Sequence, residues 1–236
     1  MTATDTAAGL RAGPGDLHHL VVLGHPAPDS FNHAIAAAYR DAVEGCGQRA
    51  VLRDLYALGF DPLLRAEERP GTPGFRLSPD VAAELELVAR ASAITLVYPI
   101  WFGLPPAIVT GYVDRVLGAG REPGIAAAPA RDDVLAGKPL LLLTTSASTL
   151  PWLAERGQWH GLRAAFDLYL QAIFALSRCD HEHFDAVTTP LAPGYAAECL
   201  ARVAERARTS CSALLQASHA QEARDAVARR QGERAP

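Results

Sequence analysis

Hydrophobic and polar positions along this chain divide it into two alternating kinds of segment. The first kind is a short, mostly apolar run followed by a loop, and the central runs lack charge on both faces. Runs of this kind are typical of strands buried in a parallel sheet. The five predicted strands cover residues 17–23, 49–55, 93–99, 139–145 and 181–187.

The second kind of segment repeats its apolar positions every three or four residues, which is the period of a helix. Phe31, Ile35 and Ala38 show this spacing, and Ser78 followed by Pro79 is a typical helix start. The predicted helices cover 31–43, 79–91, 105–120, 161–176 and a segment that begins at Pro193. Strands that alternate with helices predict an α/β fold, with a parallel sheet covered on both faces.

Composition narrows the class of protein. The 236 residues are 49% hydrophobic and 20% charged, with a net charge of -4 and no basic patch before the last stretch, so nucleic-acid binding is not expected. We expect one domain over residues 17–220, a disordered segment at 1–16 and a charged tail at 221–236. The charge spacing of the tail favours a solvated helix end over a binding arm.

The pattern of cysteines and the absence of long apolar runs indicate the cellular compartment of the protein. The four cysteines are scattered without a C-x-x-C pair, which argues against a disulfide framework or a zinc site. The first sixteen residues lack the pattern of a leader peptide, and no run has the ~20 apolar residues of a membrane span. We therefore expect a cytoplasmic protein that is not inserted into a membrane.

The loops after the first, third and fourth predicted strands should meet at one edge of the sheet. Ligands of such folds bind at that edge, beyond the carboxyl ends of the strands. The loop GHPAPDSFN (24–32) brings His25, Ser30 and Asn32 to the start of a helix. Free N–H groups and the helix dipole suit that place to a phosphate. A capped helix without a ligand remains the alternative.

All three tryptophans fall in the other two loops of that edge. Trp101 follows the third strand, and Trp152 and Trp159 follow the fourth. Core packing explains any one of them. Three together favour an aromatic pocket for a flat ligand.

The fifth predicted strand begins with His181, Glu182 and His183, which places two imidazoles on one face. Such a pair could ligate a metal. We favour the other interpretation, in which an edge strand carries polar side chains outward, so we expect no metal site.

Several segments of the chain resemble one family. The match spans roughly residues 18 to 185 and consists of VLGHPAPDSFNHAI (22–35), DLYALGFDPLL (54–64), RLSPDVAAE (76–84), VYPIWFGLPPAI (97–108), GYVDRVL (111–117) and LLLTT (141–145). In these segments the chain resembles the NAD(P)H:quinone oxidoreductase (DT-diaphorase-like) family of flavodoxin-fold flavoproteins.

The resemblance implies a fold and a cofactor. The fold is a flavodoxin-like three-layer sandwich with a five-stranded parallel sheet in the order 2-1-3-4-5. The cofactor is FAD, with FMN possible, and NAD(P)H donates hydride that is passed to a quinone; the protein is a homodimer. The implied flavin-binding residues are His25, Ser30, Phe31 and Asn32 at the phosphates, and Pro99, Ile100, Trp101, Phe102, Thr144, Thr145 and Ser146 along the ring.

Three positions depart from the family. Ser146 and Ala147 stand where the family usually has two glycines, and Trp152 stands in place of a tyrosine. His160 is the nearest counterpart of the family's histidine, which makes Trp152 and His160 the catalytic candidates. Two alternatives stay open: a non-redox isomerase or lyase on the same fold, and a regulatory subunit that senses redox state.

Overall fold

The protein forms a five-stranded parallel sheet. The computed structural model describes residues 13–121 and 133–232. The strands are β1 (His18–Leu23), β2 (Arg49–Asp54), β3 (Ala93–Pro99), β4 (Pro139–Thr145) and β5 (Arg178–Phe184). Their order in the sheet is β2-β1-β3-β4-β5, and every neighbouring pair is parallel. The predicted fold class and strand order are confirmed.

Helical segments connect the strands. They are α1 (Phe31–Gly45), α2 (Pro79–Arg90), α3 (Ala107–Tyr112), α4 (Leu150–Glu155), α5 (Gln158–Leu162), α6 (Tyr169–Ile173) and α7 (Pro193–Gly232). A π-helical turn, Val113–Leu117, extends α3, and another, Arg163–Leu168, joins α5 to α6. The two longest predicted helices after β3 are thus interrupted by wide turns, which residue periodicity does not reveal.

The helices cover the sheet on both faces. One core joins the sheet to the apolar sides of α1 and α7, and includes Tyr39 and Val203. The other joins it to α2, α3 and α6, and includes Val88 and Tyr112. All seven residues of β3 are buried, because this central strand is packed from above and below. The carboxyl ends of β1, β3 and β4 are left to form the site.

The structure describes part of each end of the chain. Residues 1–12 of the predicted disordered segment lie outside the described residues, and Pro14–Asp16 forms a 3₁₀ turn. Helix α7 continues through Gly232, so the charged tail is helical as far as the structure describes it. Among the described residues, no helix has both the length and the apolar character needed to cross a bilayer.

A close approach of two backbones fixes the long loop after β2. A Cβ added at Gly111 would lie 2.4 Å from the carbonyl oxygen of Pro62 and 2.5 Å from its Cα. Real Cβ atoms do not approach backbone atoms so closely, so only glycine lets the Pro62 segment lie on α3.

We expect Gly111→Ala to lower the free energy of unfolding by about 1–3 kcal/mol, because the loop must shift away from α3. Gly161→Ala is the matched control, since Gly161 lies in α5 with no atom within 4 Å of the added Cβ. That change should stabilise the protein by up to about 1 kcal/mol. Urea unfolding measures both, and equal effects of the two changes would contradict the proposed contact.

Candidate functional site

A cavity of about 1100 Å³ opens beyond the carboxyl ends of β1, β3 and β4. The loops after these strands line it, together with Val187, Thr188, Thr189 and Leu191 after β5. It brings together most of the predicted site residues: His25, Ser30, Phe31, Asn32, Pro99, Ile100, Trp101, Phe102, Thr145, Ser146 and Trp152. Thr144 and His160 are not among its lining residues.

The first turn of α1 supplies hydrogen-bond donors to this cavity. Ser30 is the N-cap of the helix, and its hydroxyl accepts from the N–H of His33 at 3.4 Å. Asn32 is only 3% exposed, and its Oδ1 accepts from the Thr145 hydroxyl at 3.0 Å. Among the described residues, Asn32 Nδ2 has no hydrogen-bond partner. A buried donor without a partner, at a helix N-terminus, is suited to an anionic oxygen of a ligand.

His25 adds a neutral ring beside these donors. Nδ1 of His25 lies 3.1 Å from the nitrogen of Ala27 and 3.3 Å from its carbonyl oxygen, so the loop holds the ring through this atom. Burial lowers the pKa of His25, which favours the uncharged form. Among the described residues that line the cavity there is no lysine or arginine. An anion would therefore be held by neutral donors and the dipole of α1.

A tight turn forms the aromatic wall. Trp101 and Leu104 exchange two backbone hydrogen bonds of 3.0 Å, and Phe102 and Gly103 between them have φ values of 52° and 81°. This is the geometry of a type I′ turn, in which a residue other than Gly or Asn is strained by about 1–3 kcal/mol. Phe102 is held in that strained conformation with its side chain fully exposed. The ring of Trp101 lies 5.7 Å from that of His25, so the wall adjoins the loop that leads into α1.

The end of β4 presents alternate side chains to opposite faces of the sheet. Thr145 faces α1 through its bond to Asn32. Thr144 is fully buried, and its Oγ1 lies 2.7 Å from Nε2 of His181 and 2.8 Å from Nδ1 of His183. The hydroxyl of Ser146 donates to the carbonyl of Ser148 at 2.7 Å and lies 3.0 Å from Nε2 of His183. The predicted threonine pair is thus divided between the cavity and a buried histidine cluster.

The two catalytic candidates lie at different distances from the cavity. Trp152 stands at its mouth, with the guanidinium of Arg156 4.2 Å from the ring centre. His160 is exposed on α5, outside the lining. Trp159, its neighbour, packs on His181 and His183 with ring centres 4.7 and 5.1 Å apart. Two of the three tryptophans therefore border the cavity and the third does not.

Comparison with known proteins decides the family. The model of the family described as having a flavodoxin-like fold matches residues 18–209. The chain belongs to this flavodoxin-like fold family. The matched region contains every strand of the sheet and every residue that lines the cavity.

Curated relatives of this flavodoxin-like chain include oxidoreductases. It is 34% identical over 147 residues to NAD(P)H dehydrogenase (quinone) 1 of Rattus norvegicus, covering 55% of this chain and 53% of the relative. It is 37% identical over 105 residues to an uncharacterized NAD(P)H oxidoreductase of Haemophilus influenzae, covering 44% of this chain and 52% of the relative. The chain spans about half the length of the curated relatives it matches.

Solved structures agree on the fold. NAD(P)H:quinone oxidoreductase from Methanothermobacter marburgensis superposes with a TM-score of 0.68 at 23% identity, over 82% of this chain and 95% of that one. General stress protein 14 of Treponema denticola, solved in complex with FMN, superposes with a TM-score of 0.54 at 18% identity, over 84% and 99% of the two chains. At these identities the likeness concerns the flavodoxin-like fold.

Within this flavodoxin-like chain, the outward orientation predicted for the histidines of β5 is wrong. The side chain of His181 is 1% exposed and bonds Asp167 through Nδ1 at 2.7 Å. Glu182 points to the other face, where it pairs with Arg202 and Arg206. Among the described residues, no group of three or more His, Cys, Asp or Glu side chains could hold a metal. The register between β4 and β5 places Thr144 beside His183, and the sequence alone did not show this register.

Ser146 and Ala147 differ from glycine without distorting the backbone. Neither has a positive φ, whereas Phe102 and Ala186 elsewhere in the chain do. The backbone at the end of β4 therefore does not require glycine, and the side chain of Ser146 adds a hydroxyl to the cavity wall.

Proposed function

We propose that this chain is a flavin-dependent NAD(P)H oxidoreductase that reduces a quinone, or a similar electron-poor aromatic compound, by two-electron ping-pong hydride transfer. The observation that carries the proposal is a single cavity that joins an unpartnered buried amide at a helix N-terminus to an aromatic wall. Similarity to the quinone dehydrogenase of the rat supports the same reaction.

The proposed cofactor is FAD, with FMN as the alternative. His25, Ser30, Phe31 and Asn32 would hold the phosphates, because they combine neutral donors with the N-terminus of α1. A cavity of about 1100 Å³ supports the larger flavin, since pockets for small ligands usually measure about 300–1000 Å³. The FMN complex of general stress protein 14 supports the smaller one.

The remaining residues would orient the flavin ring and the substrates. The ring is proposed to lie along Pro99, Ile100, Trp101 and Phe102, with Thr145 and Ser146 at its edge and Thr144 acting through the buried histidines. A bound flavin supplies the hydride chemistry, and the chain supplies orientation and a site with little water. Nicotinamide and quinone would occupy the same place in turn.

Trp152 and His160 are proposed to act on the acceptor at the mouth of the cavity. The indole of Trp152 can cover a flat acceptor and donate one hydrogen bond, but it has no ionisable hydroxyl. His160 lies outside the cavity lining, so its proposed role in proton transfer requires an acceptor that extends to the mouth.

The proposed assembly is a homodimer in the cytoplasm. Trp101, Phe102, Leu104 and Trp152 are large apolar side chains that are exposed at or beside the mouth. Exposed apolar surface of this kind is typical of contact sites, and a second copy of the chain would cover it. The four cysteines are free thiols, which agrees with a reducing compartment. Nothing in the described residues favours the non-redox or regulatory alternatives.

We expect the purified protein to be yellow and to show the visible absorbance of a bound flavin, because the chemistry resides in the cofactor. Release of the cofactor and chromatography would distinguish FAD from FMN. NAD(P)H oxidation should depend on added benzoquinone. A colourless protein that binds neither flavin and oxidises no NAD(P)H in the presence of quinone would contradict the proposal.

A further inference from the structure

An unbroken line of hydrogen bonds runs from the buried side of β5 to the cavity. Asp167 Oδ2 lies 2.7 Å from His181 Nδ1, and His181 Nε2 lies 2.7 Å from Thr144 Oγ1. Thr144 Oγ1 lies 2.8 Å from His183 Nδ1, and His183 Nε2 lies 3.0 Å from Ser146 Oγ. Ser146 lines the cavity, so the line ends where a substrate would bind.

The number of protons in this line follows from its contacts. Ser146 Oγ also lies 2.7 Å from the carbonyl oxygen of Ser148, which makes five contacts in all. Each contact needs one hydrogen. Two hydroxyls and two neutral imidazoles carry only four, since a carboxylate carries none. The fully bonded line therefore holds one additional proton, shared by His181 and Asp167.

The Ser148 carbonyl also sets the direction of every bond. A carbonyl only accepts, so the Ser146 hydroxyl donates to it and must accept from Nε2–H of His183. Nδ1 of His183 then accepts from Thr144, whose oxygen accepts from Nε2–H of His181. Nδ1–H of His181 donates to Asp167. The donors from Nε2–H of His181 outward therefore point towards the cavity, and only Nδ1–H of His181 points back to Asp167.

The surroundings suit a stored proton at the inner end. Asp167 is fully buried, and a buried carboxylate is costly unless it is paired. Arg163 Nε at 3.3 Å and His181 supply that pairing. Burial, together with nearby His181, lowers the pKa of His183 to about 4, so the outer ring is neutral at pH 7. The other ionisable groups near the line are Asp185, Cys179 and Tyr98.

We propose that Asp167, His181, Thr144, His183 and Ser146 form a proton relay that delivers one proton to the acceptor in the cavity. This inference rests on the proposed function. A quinone that receives a hydride gains two electrons and becomes an anion, which needs one proton to become the hydroquinone. The relay supplies that proton from the buried side of the sheet.

The transfer is balanced at each atom. The Ser146 hydroxyl breaks its bond to the Ser148 carbonyl, gives its proton to the substrate oxygen and takes one from His183 Nε2. His183 takes the Thr144 proton at Nδ1, and Thr144 takes the proton from His181 Nε2. His181 is left neutral, with its Nδ1–H on Asp167. No electrons move along the relay, and water that enters after product release returns the proton through Ser146.

Two features distinguish this relay from ordinary packing. Thr144 connects the two imidazoles through a single oxygen, so no alternative path between them is needed. Ser146 contributes the last hydroxyl, which a glycine at that position would lack. The relay therefore belongs to the particular residues of this chain.

Histidine NMR tests the stored proton without any flavin. In ¹⁵N-labelled protein at pH 7, His181 should be protonated on both ring nitrogens and His183 only on Nε2, with assignments from His181→Gln and His183→Gln. Thr144→Val should alter the ring signals of both histidines. A neutral His181 in the wild-type protein would overturn the proposal, whatever the enzyme's activity.

Kinetics with two acceptors test delivery. Thr144→Val should slow quinone reduction by about 100-fold, which is typical of a lost general acid. Flavin reduction by NAD(P)H, and turnover with ferricyanide, which takes electrons without protons, should slow far less, so the ratio of quinone turnover to ferricyanide turnover should fall. Thr95→Val is the matched control, because Thr95 is a buried strand threonine on β3 outside the relay. It should leave all three rates unchanged.

The outcomes separate the relay from the function. Equal slowing of Thr144→Val with quinone and with ferricyanide would show a structural defect and overturn the relay. An unchanged rate of quinone reduction in Thr144→Val would also overturn the relay. Ser146→Ala, at the cavity end, should repeat the selective loss if Thr144→Val does not fold. Wild-type protein that oxidises NAD(P)H with neither acceptor would refute the proposed function, while the NMR result would still decide on the stored proton.

Discussion

Asn32→Asp is expected to weaken flavin binding by at least about 100-fold. The change keeps the shape of the side chain and leaves an oxygen to accept from Thr145, but it replaces the unpartnered Nδ2 donor by a charged acceptor. A hydrogen bond to a charged group contributes about 1.5–3 kcal/mol, and repulsion between carboxylate and phosphate adds to its loss. In the part of the cavity lining that the structure describes, no lysine or arginine is present to compensate.

Equilibrium dialysis of the flavin-free protein against FAD and FMN measures this effect. Gln158→Glu is the matched control, because it makes the same amide-to-acid change beside Gly103, at the aromatic wall of the cavity. The loss of flavin affinity in Gln158→Glu should be at least tenfold smaller than the loss in Asn32→Asp. Similar losses in both variants would show that net charge, rather than the α1 donor, governs flavin binding.

Arg115→Met is expected to lower the free energy of unfolding by about 3–5 kcal/mol. Arg115 is fully buried and donates two hydrogen bonds, of 2.9 and 2.6 Å, to the carboxylate of Glu68. It also donates to Asp80 at 2.9 Å and to the carbonyl of Asp61 at 2.5 Å. Its removal leaves the carboxylate of Glu68 buried without a counter-ion and releases the loop that lies against Gly111.

The effect of Arg115→Met should depend on pH. Arg115 lowers the pKa of Glu68 to about 2 from its ordinary value of 4.5, so the ion pair stabilises the fold fully above pH 4.5. This stabilisation is lost as the pH falls towards 2, when Glu68 is protonated in the folded protein. The difference between wild type and Arg115→Met should therefore be largest at pH 7 and shrink towards pH 2.

Urea unfolding at pH 7 and at about pH 3 measures both parts of this prediction. Changing Arg115 and Glu68 together to Met should recover much of the loss, because no buried charge then stays unpaired. Arg90→Met is the control, since its partner Glu86 lies 3.7 Å away on the exposed side of α2. It should cost less than about 0.5 kcal/mol. A pH-independent loss in Arg115→Met would contradict the role of the ion pair.

Much of the fold was predictable because the buried strands are continuous runs of apolar residues. The runs at 93–99 and 139–145 match β3 and β4 residue for residue, since strands packed on both faces need continuous apolar side chains. The segment 161–176 was predicted as one helix, but it contains a π-helical turn over Arg163–Leu168. Apolar spacing does not distinguish a helix from a helix with one widened turn, and this turn is the one that contains the buried Asp167.

The site was predictable to the extent that it is built from loops after strands. Ser30, Asn32 and Trp101 meet at one edge because parallel strands end there, a consequence of fold class alone. The fate of Thr144 was not predictable. Adjacent residues of a strand face opposite sides, and only the register against β5 sets Thr144, rather than Thr145, beside His183.

By itself, the sequence of this protein determined the strand order, through its family resemblance. It also determined that a capped loop precedes α1 and that an aromatic turn follows β3, because those two features depend on neighbouring residues. The tertiary structure alone decided that His181 and His183 face inward, that Asp167 meets them from the preceding helical segment, and that Arg115 reaches Glu68. Each of these contacts joins residues distant in the chain, and a buried polar group takes whichever partner the packed elements bring within reach.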